Sequence, residues 1–253
     1  MLRLPPLTET AVSIPGNLLI ARLAARDRRH LLARCEPVAL HAGLPPGGHP
    51  GLLQVPGAPA VYLPEAGAVS LQPGIDDHPG AVLAVVGREG LVGAHWPGGV
   101  DGLALAWQVE LPGTAWRLPR TQLALAMDGN AMLRLAVQAE QGRQILQLAR
   151  GGACLQVHQI GPRLARWLWV LAEHRGEAPM AITHERLAAM LGARRAGVSM
   201  AAGELQRRGL IHYHRGLLRV TDAAGLRLRA CSCLDAERVL RPDVAPASAG
   251  APG

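Results

Sequence analysis

The sequence contains no lysine and no phenylalanine, and it has only four cysteines in 253 residues. Arginine supplies all 26 basic side chains, and we infer no chemistry from either absence, because a GC-rich codon bias produces both. Four irregularly spaced cysteines do not make a disulfide framework, and the first residues lack the basic start and apolar run of a signal peptide. No apolar run approaches the roughly 20 residues that a membrane-spanning helix needs. These absences predict a soluble protein of the reducing cytoplasm with no membrane partner.

Charge is unevenly distributed along the chain, which has a formal net charge of +7. Residues 1–150 hold 12 arginines against 11 acidic residues, whereas residues 151–253 hold 14 against 8, a net of +1 against +6. Arginine concentrated in one domain is typical of proteins that bind a phosphate backbone. A basic surface that is only solvated remains the alternative at this level of charge.

Short β-type runs dominate the first half of the sequence. A hydrophobic content of 49% is enough for a core in each of two domains, and the length favours two domains. Between residues 51 and 118, apolar runs alternate with turn signals at the spacing of an antiparallel sandwich or jelly roll. The predicted strands are Gly51–Val55, Ala60–Leu63, Ala68–Gln72, Ala81–Val86, Leu91–Trp96, Leu103–Leu111 and Thr114–Leu118.

Helical patterns lie on both sides of this region. Residues Gly16–Cys35 predict one or two short helices, and Arg120–His158, which contains no proline, predicts one or two helices with the second one long. The adjacent Gly151 and Gly152 predict a bend in the long helix. An apolar stripe along it runs through Met132, Ala136, Ala139, Leu146 and Ala149. This stripe can face a second copy of the chain or the chain's own β domain, and the sequence favours neither.

The C-terminal part predicts a pair of short helices. Thr183 is placed to cap the first helix, and Gly192 to supply the turn that follows it. The second helix is predicted over Arg194–Arg208, where Gly209 ends it. Two short helices joined by a glycine turn are the geometry that sets one helix in the DNA major groove.

A small hairpin with a basic tip is predicted after these helices, with strands Ile211–Tyr213 and Leu217–Val220. The whole order is typical of a winged helix-turn-helix. The planar guanidinium group of arginine can donate two hydrogen bonds to guanine or clamp a phosphate. The predicted DNA contacts are Arg194, Arg195, Gly197, Ser199, Met200, His214 and Arg215. A plain structural helix pair, or a module that binds another protein, is the alternative.

Three stretches resemble the Crp/Fnr family of bacterial transcription regulators, within residues 30–235. They read AVYLPEAGAVSLQ at 60–72, AVVGREGLVG at 84–93, and the winged segment at 182–220. The resemblance implies an α+β fold with an N-terminal cyclic-nucleotide-binding-like β jelly roll, a long dimerisation helix and a C-terminal winged helix-turn-helix. It implies a homodimer on double-stranded DNA, RNA polymerase as a further partner, and no enzymatic activity.

The resemblance also implies the domain boundaries and one base-reading residue. The domains are 16–128 for the sensory β domain, 129–158 for the dimerisation helix and 159–240 for the winged helix-turn-helix, and composition predicts a disordered tail at 241–253. Arg195 falls where the family often places a base-reading arginine. Ala196 stands where a glutamate is common and Met200 where a second arginine is common, so the expected DNA site differs from the familiar one.

The same resemblance places an effector pocket at Gly87, Glu89, Gly90 and Gly93. A cyclic-nucleotide site needs an arginine and a small hydroxyl residue shortly after this loop, and residues 93–107 contain neither. Because an uncompensated phosphate is costly to bury, cyclic AMP is not the expected effector. The effector and any cofactor stay unidentified.

No metal site is predicted. Only Cys35 lies near the N-terminus, so the cysteine cluster of the family's iron–sulfur sensors is absent there. Cys231 and Cys233 lie two residues apart, but two ligands do not make a zinc site, and a structural role is expected for them. A jelly-roll metalloenzyme is the alternative from another class, although its candidate ligands have no metal-ligand spacing. These ligands are His41, His49, His78 and His95.

Overall fold

The computed structural model describes residues 16–43, 60–75, 78–95, 105–176 and 178–240. The predicted strand Gly51–Val55, the predicted tail 241–253, His49, Trp96 and residues 103–104 lie outside these ranges. The described helices are α1 Leu18–Ala21, α2 Ala25–Leu32, α3 Arg120–Gly129, α4 Ala131–Val157, α5 Ile160–Arg175, α6 His184–Leu191, α7 Arg195–Arg207, α8 Ala223–Arg229 and α9 Cys233–Leu240. The described strands are β1 Glu36–Leu40, β2 Ala60–Ile75, β3 His78–Pro79, β4 Ala84–Val86, β5 Leu105–Pro119, β6 Met180–Ala181, β7 Ile211–His214 and β8 Leu217–Val220. The predicted α+β class is confirmed.

An antiparallel sheet forms the N-terminal part, in the order β1-β5-β2-β3, and β4 also pairs with β2. The register between β2 and β5 runs from Ala60 opposite Pro119 to Pro73 opposite Leu105. Each of these long strands replaces two predicted strands. The two turns predicted inside them are therefore wrong.

Bulges take the place of those turns. The register shifts between residues 64 and 69, and Gly67 there has a φ of +87°. Opposite it, a Cβ on Gly113 would clash with the carbonyl oxygen of Ala66. The two glycines let the strands stay paired through a local kink, which a turn signal read along one strand does not reveal.

Two further strands differ from the prediction. β1 has no counterpart among the predicted strands, and it pairs with β5 from Glu36 opposite Arg117. The described residues of Leu91–Trp96 form no strand, and Val92 makes only an isolated bridge to Tyr62. The reason is that side chains of α4 take up backbone hydrogen bonds of this segment.

α4 continues through Gly151 and Gly152, where a bend is predicted. Gly151 allows close packing, since a Cβ there would clash with the backbone of Leu83. One side of α4 packs on the β domain, at positions spaced alternately four and three residues apart. The buried residues of this side are Leu133, Val137, Glu140, Gln144, Gln147, Gly151 and Cys154.

The opposite side of α4 is exposed in the single chain and is apolar. Its residues are Met132, Leu135, Ala139, Gly142, Leu146, Ala149 and Ala153. We call these seven residues the α4 seam, because their alternating spacing of three and four is a heptad pattern. The predicted stripe is wrong in one member: Ala136 is half-buried against the β-domain core, and Leu135 faces solvent in its stead.

One hydrophobic core joins the sheet to the C-terminal helices. Val85 and Leu111 of the sheet lie in the same buried cluster as Leu168 of α5. A polar contact adds to it: Arg186 of α6 donates hydrogen bonds to the buried carboxylate of Glu110 on β5. None of the described helices is long and apolar enough to span a membrane.

Candidate nucleic-acid interface

Two short helices joined by a left-handed glycine lie at the centre of the C-terminal part. The Thr183 hydroxyl accepts a hydrogen bond from the backbone N–H of Arg186 and caps α6, as predicted. Gly192 ends α6 with φ 55° and ψ 43°, a left-handed conformation that favours glycine. α7 follows, and Gly209, with φ +72°, ends it. The predicted helix-turn-helix is therefore confirmed.

One face of α7 packs against α5 and α6, and the other faces solvent. The buried residues are Val198, Ala202 and Leu205, and the exposed residues near the N-terminal end are Arg194, Arg195, Ala196 and Met200. The N-terminus of a helix carries a partial positive charge and unpaired backbone N–H groups. Two exposed arginines at this end make it a surface that attracts anions.

The positive charge at the two ends of α7 is compensated to different degrees. Within the described part of the chain, Arg194 and Arg195 form no ion pair. At the C-terminal end, Glu204 accepts hydrogen bonds from Arg207 at 2.7 Å and from Arg208 at 2.5 Å. These hydrogen bonds hold the pKa of Glu204 below its ordinary value. The less compensated positive charge of α7 therefore lies at its first turn, with Arg194 and Arg195.

Ser199 connects α7 to the neighbouring elements. Its hydroxyl lies 2.9 Å from Nδ1 of His184, and the His184 ring stacks on Tyr213 with centroids 4.4 Å apart. Burial, and then the charge of Arg195, lower the pKa of His184 below its ordinary 6.5, so this ring is neutral at pH 7. The Ser199 side chain is thus half-buried and already hydrogen-bonded in the free protein. Its direct contact with DNA stays a prediction.

Gly197 and Met200 lie on different sides of α7. A Cβ on Gly197 would meet the side chain of Ile160 on α5 at 2.9 Å, so this glycine allows the helices to pack closely. Met200 is 71% exposed and can offer an apolar contact to a thymine methyl group. The DNA contacts of both residues also remain predictions.

A two-residue turn, Arg215 and Gly216, joins β7 to β8. The φ angles are +47° and +80°, the pattern of a type I′ hairpin turn, whose twist matches that of the strands. His214 and Arg215 are both exposed at the tip, as predicted. A further basic patch on the hairpin consists of His212 and Arg219, which are exposed and lie opposite each other on the two strands. The sequence alone did not single out this patch.

The four predicted effector-loop residues come together between β4 and β5, where they pack against the chain's own helices. The buried carboxylate of Glu89 accepts a hydrogen bond from the backbone N–H of Gly87, and it lies 4.0 Å from Nδ1 of His174 on α5. A Cβ on Gly90 would clash with side chains of α4. Gly93 has a φ of +90°. Close packing and backbone conformation therefore both require glycine in this loop.

A buried ion pair from α4 fills the space beside this loop. Glu140 accepts hydrogen bonds from Arg143 at 2.8 and 2.5 Å, and from Gln144 at 2.5 Å. It also accepts one from the backbone N–H of Leu91, whose carbonyl oxygen accepts a hydrogen bond from Gln144. Burial raises the pKa of Glu140, although Arg143 acts in the opposite direction. The sequence did not reveal this pair. Its only sequence signal is the spacing of polar residues along α4, and the sequence does not show which side of α4 packs on the β domain.

The structure describes the side chains of two of the four histidines of the metalloenzyme alternative. His41 and His95 belong to no group of potential metal ligands among the side chains that the structure describes. The side chains of His49 and His78 lie outside that set. This alternative therefore has no support in the described part of the chain.

Residues 162–229 match the sequence profile of the Crp-like helix-turn-helix domain. The matched segment runs from the first turn of α5 to the end of α8, and it includes α6, α7 and the wing. Among curated proteins, no sequence matches the chain.

Solved structures of regulators share the fold. A protein from Eubacterium rectale, described as a transcriptional regulator of the Crp/Fnr family, matches 85% of this chain and 98% of its own at 15% identity and a TM-score of 0.59. FixK2 from Bradyrhizobium japonicum matches 78% of this chain and 98% of its own at 16% identity, with a TM-score of 0.59. The c-di-GMP responsive global regulator CLP from Xanthomonas campestris matches 78% and 99% at 18% identity, with a TM-score of 0.58. The chain therefore carries a Crp-like helix-turn-helix domain on the fold of the Crp/Fnr transcription regulators.

Proposed function

We propose that this protein is a homodimeric regulator of transcription of the Crp/Fnr type, which binds specific sites in double-stranded DNA through α7 and the wing. The observation that carries this proposal is the N-terminal end of α7, where exposed Arg194 and Arg195 have no ion-pair partner in the described chain. The basic wing tip at Arg215 lies on the same C-terminal unit. In this arrangement Arg195 reads base edges in the major groove and Arg215 contacts phosphate.

The α4 seam supports the homodimer. Four of its seven residues are alanine or glycine, so two copies of α4 can approach closely. Met132 is 66% exposed and Leu135 is 59% exposed in the single chain, an unfavourable state that a second copy of the seam relieves. A two-fold dimer presents two copies of α7 to half-sites about 34 Å apart on one face of the duplex.

The effector loop supports an effector other than cyclic AMP. No arginine follows Gly93 in the next 14 residues, and the guanidinium group that reaches the loop, Arg143, is engaged by Glu140. An anionic phosphate entering the loop would meet a carboxylate. The relative from Xanthomonas campestris is described as c-di-GMP responsive, so this fold also occurs in a regulator with a different effector.

The domain assignment forms part of the same proposal. Residues 16–128 are the sensory domain, 129–158 the dimerisation helix and 159–240 the DNA-binding domain, joined by the common core around α5. The protein acts as a regulator and not as an enzyme. A DNA partner places it in the cytoplasm, and RNA polymerase is the further partner that such regulators contact.

Selection of bound sequences from a random DNA pool with the full-length protein tests this function. We expect a two-fold repeated site, and an affinity for it that falls steeply with salt, because each phosphate contact releases counterions. Replacing Arg194 and Arg195 together by alanine should weaken binding by about 100-fold. Arg34→Ala, which removes an exposed arginine from the sensory domain, is the matched control and should change little.

The opposite results would contradict the proposal. An affinity that does not depend on salt, or that survives removal of both arginines, would mean that α7 does not bind DNA. A salt-insensitive protein partner captured by the same helix pair would favour the protein-interaction alternative.

A further inference from the structure

Three cysteines and one histidine from distant parts of the sequence converge at the C-terminal end of α4. Cys154 lies on the last turn of this helix, and His158 is its C-terminal cap. Cys231 and Cys233 come from the start of α9 and the residues just before it. The three sulfur atoms and a ring nitrogen of His158 all lie within 4.8 Å of one another. No other group of three or more potential metal ligands occurs among the described side chains.

The distances within this group fit tetrahedral coordination of one ion. Sγ of Cys154 lies 3.7 Å from Sγ of Cys231, and Sγ of Cys233 lies 3.6 Å from Nδ1 of His158. A tetrahedral zinc ion has Zn–S bonds of about 2.3 Å and Zn–N bonds of about 2.0 Å, which place two sulfurs about 3.8 Å apart and a sulfur and a nitrogen about 3.5 Å apart. Both observed separations agree with these edges. They are too long for a disulfide, and all four cysteines are free.

The surrounding fold holds the four ligands in place. Cys154 and His158 are one helical turn apart and therefore lie on the same side of α4. The backbone N–H of Cys231 donates to the carbonyl oxygen of Pro162 at 3.2 Å, which fixes the second pair against α5. Cys154 and Cys231 are buried, whereas His158 and Cys233 are half-buried. An ion can thus enter from the half-buried side.

Two buried arginines offset the charge of such a site. A divalent ion with three thiolates and a neutral imidazole carries a net charge of −1. Arg163 and Arg166 of α5 are both buried. Arg166 interacts electrostatically with all three cysteines, and Arg163 with Cys154 and Cys231.

We propose that Cys154, His158, Cys231 and Cys233 bind one Zn²⁺ ion as a structural Cys₃His site. Each thiol loses its proton to solvent when it binds, and His158 binds through neutral Nδ1. A two-iron cluster fits less well, because it holds its two ligand pairs on separate metal atoms, whereas these four ligand atoms all lie within 4.8 Å of one another. The ion ties the end of α4 to α9. The spacing of Cys231 and Cys233 indicated only two of the ligands, and the fold supplies the other two.

Metal binding by the reduced, full-length protein tests this site in the absence of DNA, so its result is independent of the proposed function. The protein is stripped with a chelator and titrated with Zn²⁺ against a colorimetric chelator, and separately with Co²⁺ as a spectroscopic probe. We expect one Zn²⁺ per chain. Co²⁺ should give the intense visible absorption of a tetrahedral site and thiolate-to-cobalt bands in the near ultraviolet. Failure to bind Zn²⁺, or a weak octahedral cobalt spectrum without thiolate bands, would overturn the proposal.

Variants assign the binding to these residues. Cys233→Ser and His158→Ala each remove a half-buried ligand with little change in core packing, and each should weaken Zn²⁺ binding by at least about 100-fold. Each should also abolish the rise in thermal unfolding temperature on adding Zn²⁺. Cys35→Ser removes a half-buried cysteine outside the group and should bind like the wild type. Unchanged binding by Cys233→Ser, or a Cys154–Cys231 disulfide that forms while Zn²⁺ is present, would show that the group is not a zinc site.

Discussion

Arg195 and Arg215 have separate proposed roles, base recognition for the first and phosphate binding for the second. Arg195→Ala should weaken the binding free energy for the preferred site by about 1 to 3 kcal/mol, because it removes a bidentate pair of hydrogen bonds to guanine. It should also relax the choice of base at one position per half-site. Arg215→Ala should weaken all sequences nearly equally and lower the salt slope by about one unit for each phosphate that the arginine no longer neutralises. Affinities for the selected site and for scrambled DNA, at two or more salt concentrations, measure both effects.

Arg207→Ala is the control for this pair, since Glu204 already engages its charge. It should change neither base preference nor salt slope appreciably. If Arg195→Ala weakens both DNAs equally and leaves base preference intact, α7 does not dock by its N-terminal end.

His184 reports on the charge of Arg195 in the free protein. Because burial and then Arg195 lower its pKa, Arg195→Ala should raise the pKa of His184 toward 6.5, whereas Arg207→Ala should not. The unfolded chain takes up the proton first, so the contribution of His184 to stability falls as the pH drops from 6.5 toward its folded pKa. An NMR titration of the His184 ring in both variants measures the shift. A pKa that does not respond to Arg195→Ala would place the guanidinium group away from the ring.

Among the single elements, α4 is the one whose seam we expect to determine the state of assembly. Leu146→Glu puts a carboxylate in the middle of the seam, where a two-fold axis brings it close to its own copy. We expect sedimentation at micromolar concentration to show a dimer for the wild type and a monomer for this variant. Leu125→Glu, at an exposed leucine of α3 outside the seam, is the matched control and should remain dimeric. A dimeric Leu146→Glu variant would place the interface elsewhere.

We expect the loop that follows β4, at residues 87–93, to exclude cyclic AMP. We expect calorimetry to show no micromolar binding, because the Glu140 carboxylate faces the loop and holds Arg143. Glu140→Gln removes the negative charge and leaves Arg143 in place, so any affinity for a cyclic nucleotide should rise in this variant. Micromolar affinity in the wild type would contradict the expectation.

At the scale of the whole molecule, the ion pair between Arg186 and Glu110 joins the β domain to the helix-turn-helix. Glu110→Ala leaves the largely buried Arg186 without its partner and should lower the free energy of unfolding by about 3 kcal/mol. Glu36→Ala is the control, because Glu36 is 65% exposed in its ion pair with Arg117 and should cost less than about 1 kcal/mol. Urea unfolding of the two variants gives the comparison. Equal decreases in stability would mean that the buried pair does not couple the two parts.

α5 also connects the β domain to the helix-turn-helix, because it contacts both. Its last turn places His174 beside Glu89 of the effector loop, and its first residue, Ile160, lies against Gly197 at the start of α7. The helix therefore contacts the effector loop at one end and the predicted DNA-contacting end of α7 at the other. If the loop moved relative to α5, the packed side chains of α5 would transmit the displacement to α7.

The helix-turn-helix and its wing could be predicted from local sequence signals alone. Thr183, Gly192 and Gly209 act on backbone groups within four residues of themselves, so the caps and left-handed ends of α6 and α7 could be predicted without knowing any distant contact. The hairpin turn at Arg215 and Gly216 is local in the same way.

Features that depend on a partner far away in the sequence could not be predicted and became visible only in the folded chain. Gly67 and Gly113 produce bulges instead of turns because the two strands pair across them, and the side of α4 that meets solvent depends on where the sheet lies. Cys154 and Cys231, separated by 77 positions, meet because α8 packs on α5 and α9 contacts α4. Periodicity and spacing describe neighbours along the chain, whereas these contacts arise from packing between segments that are far apart in it.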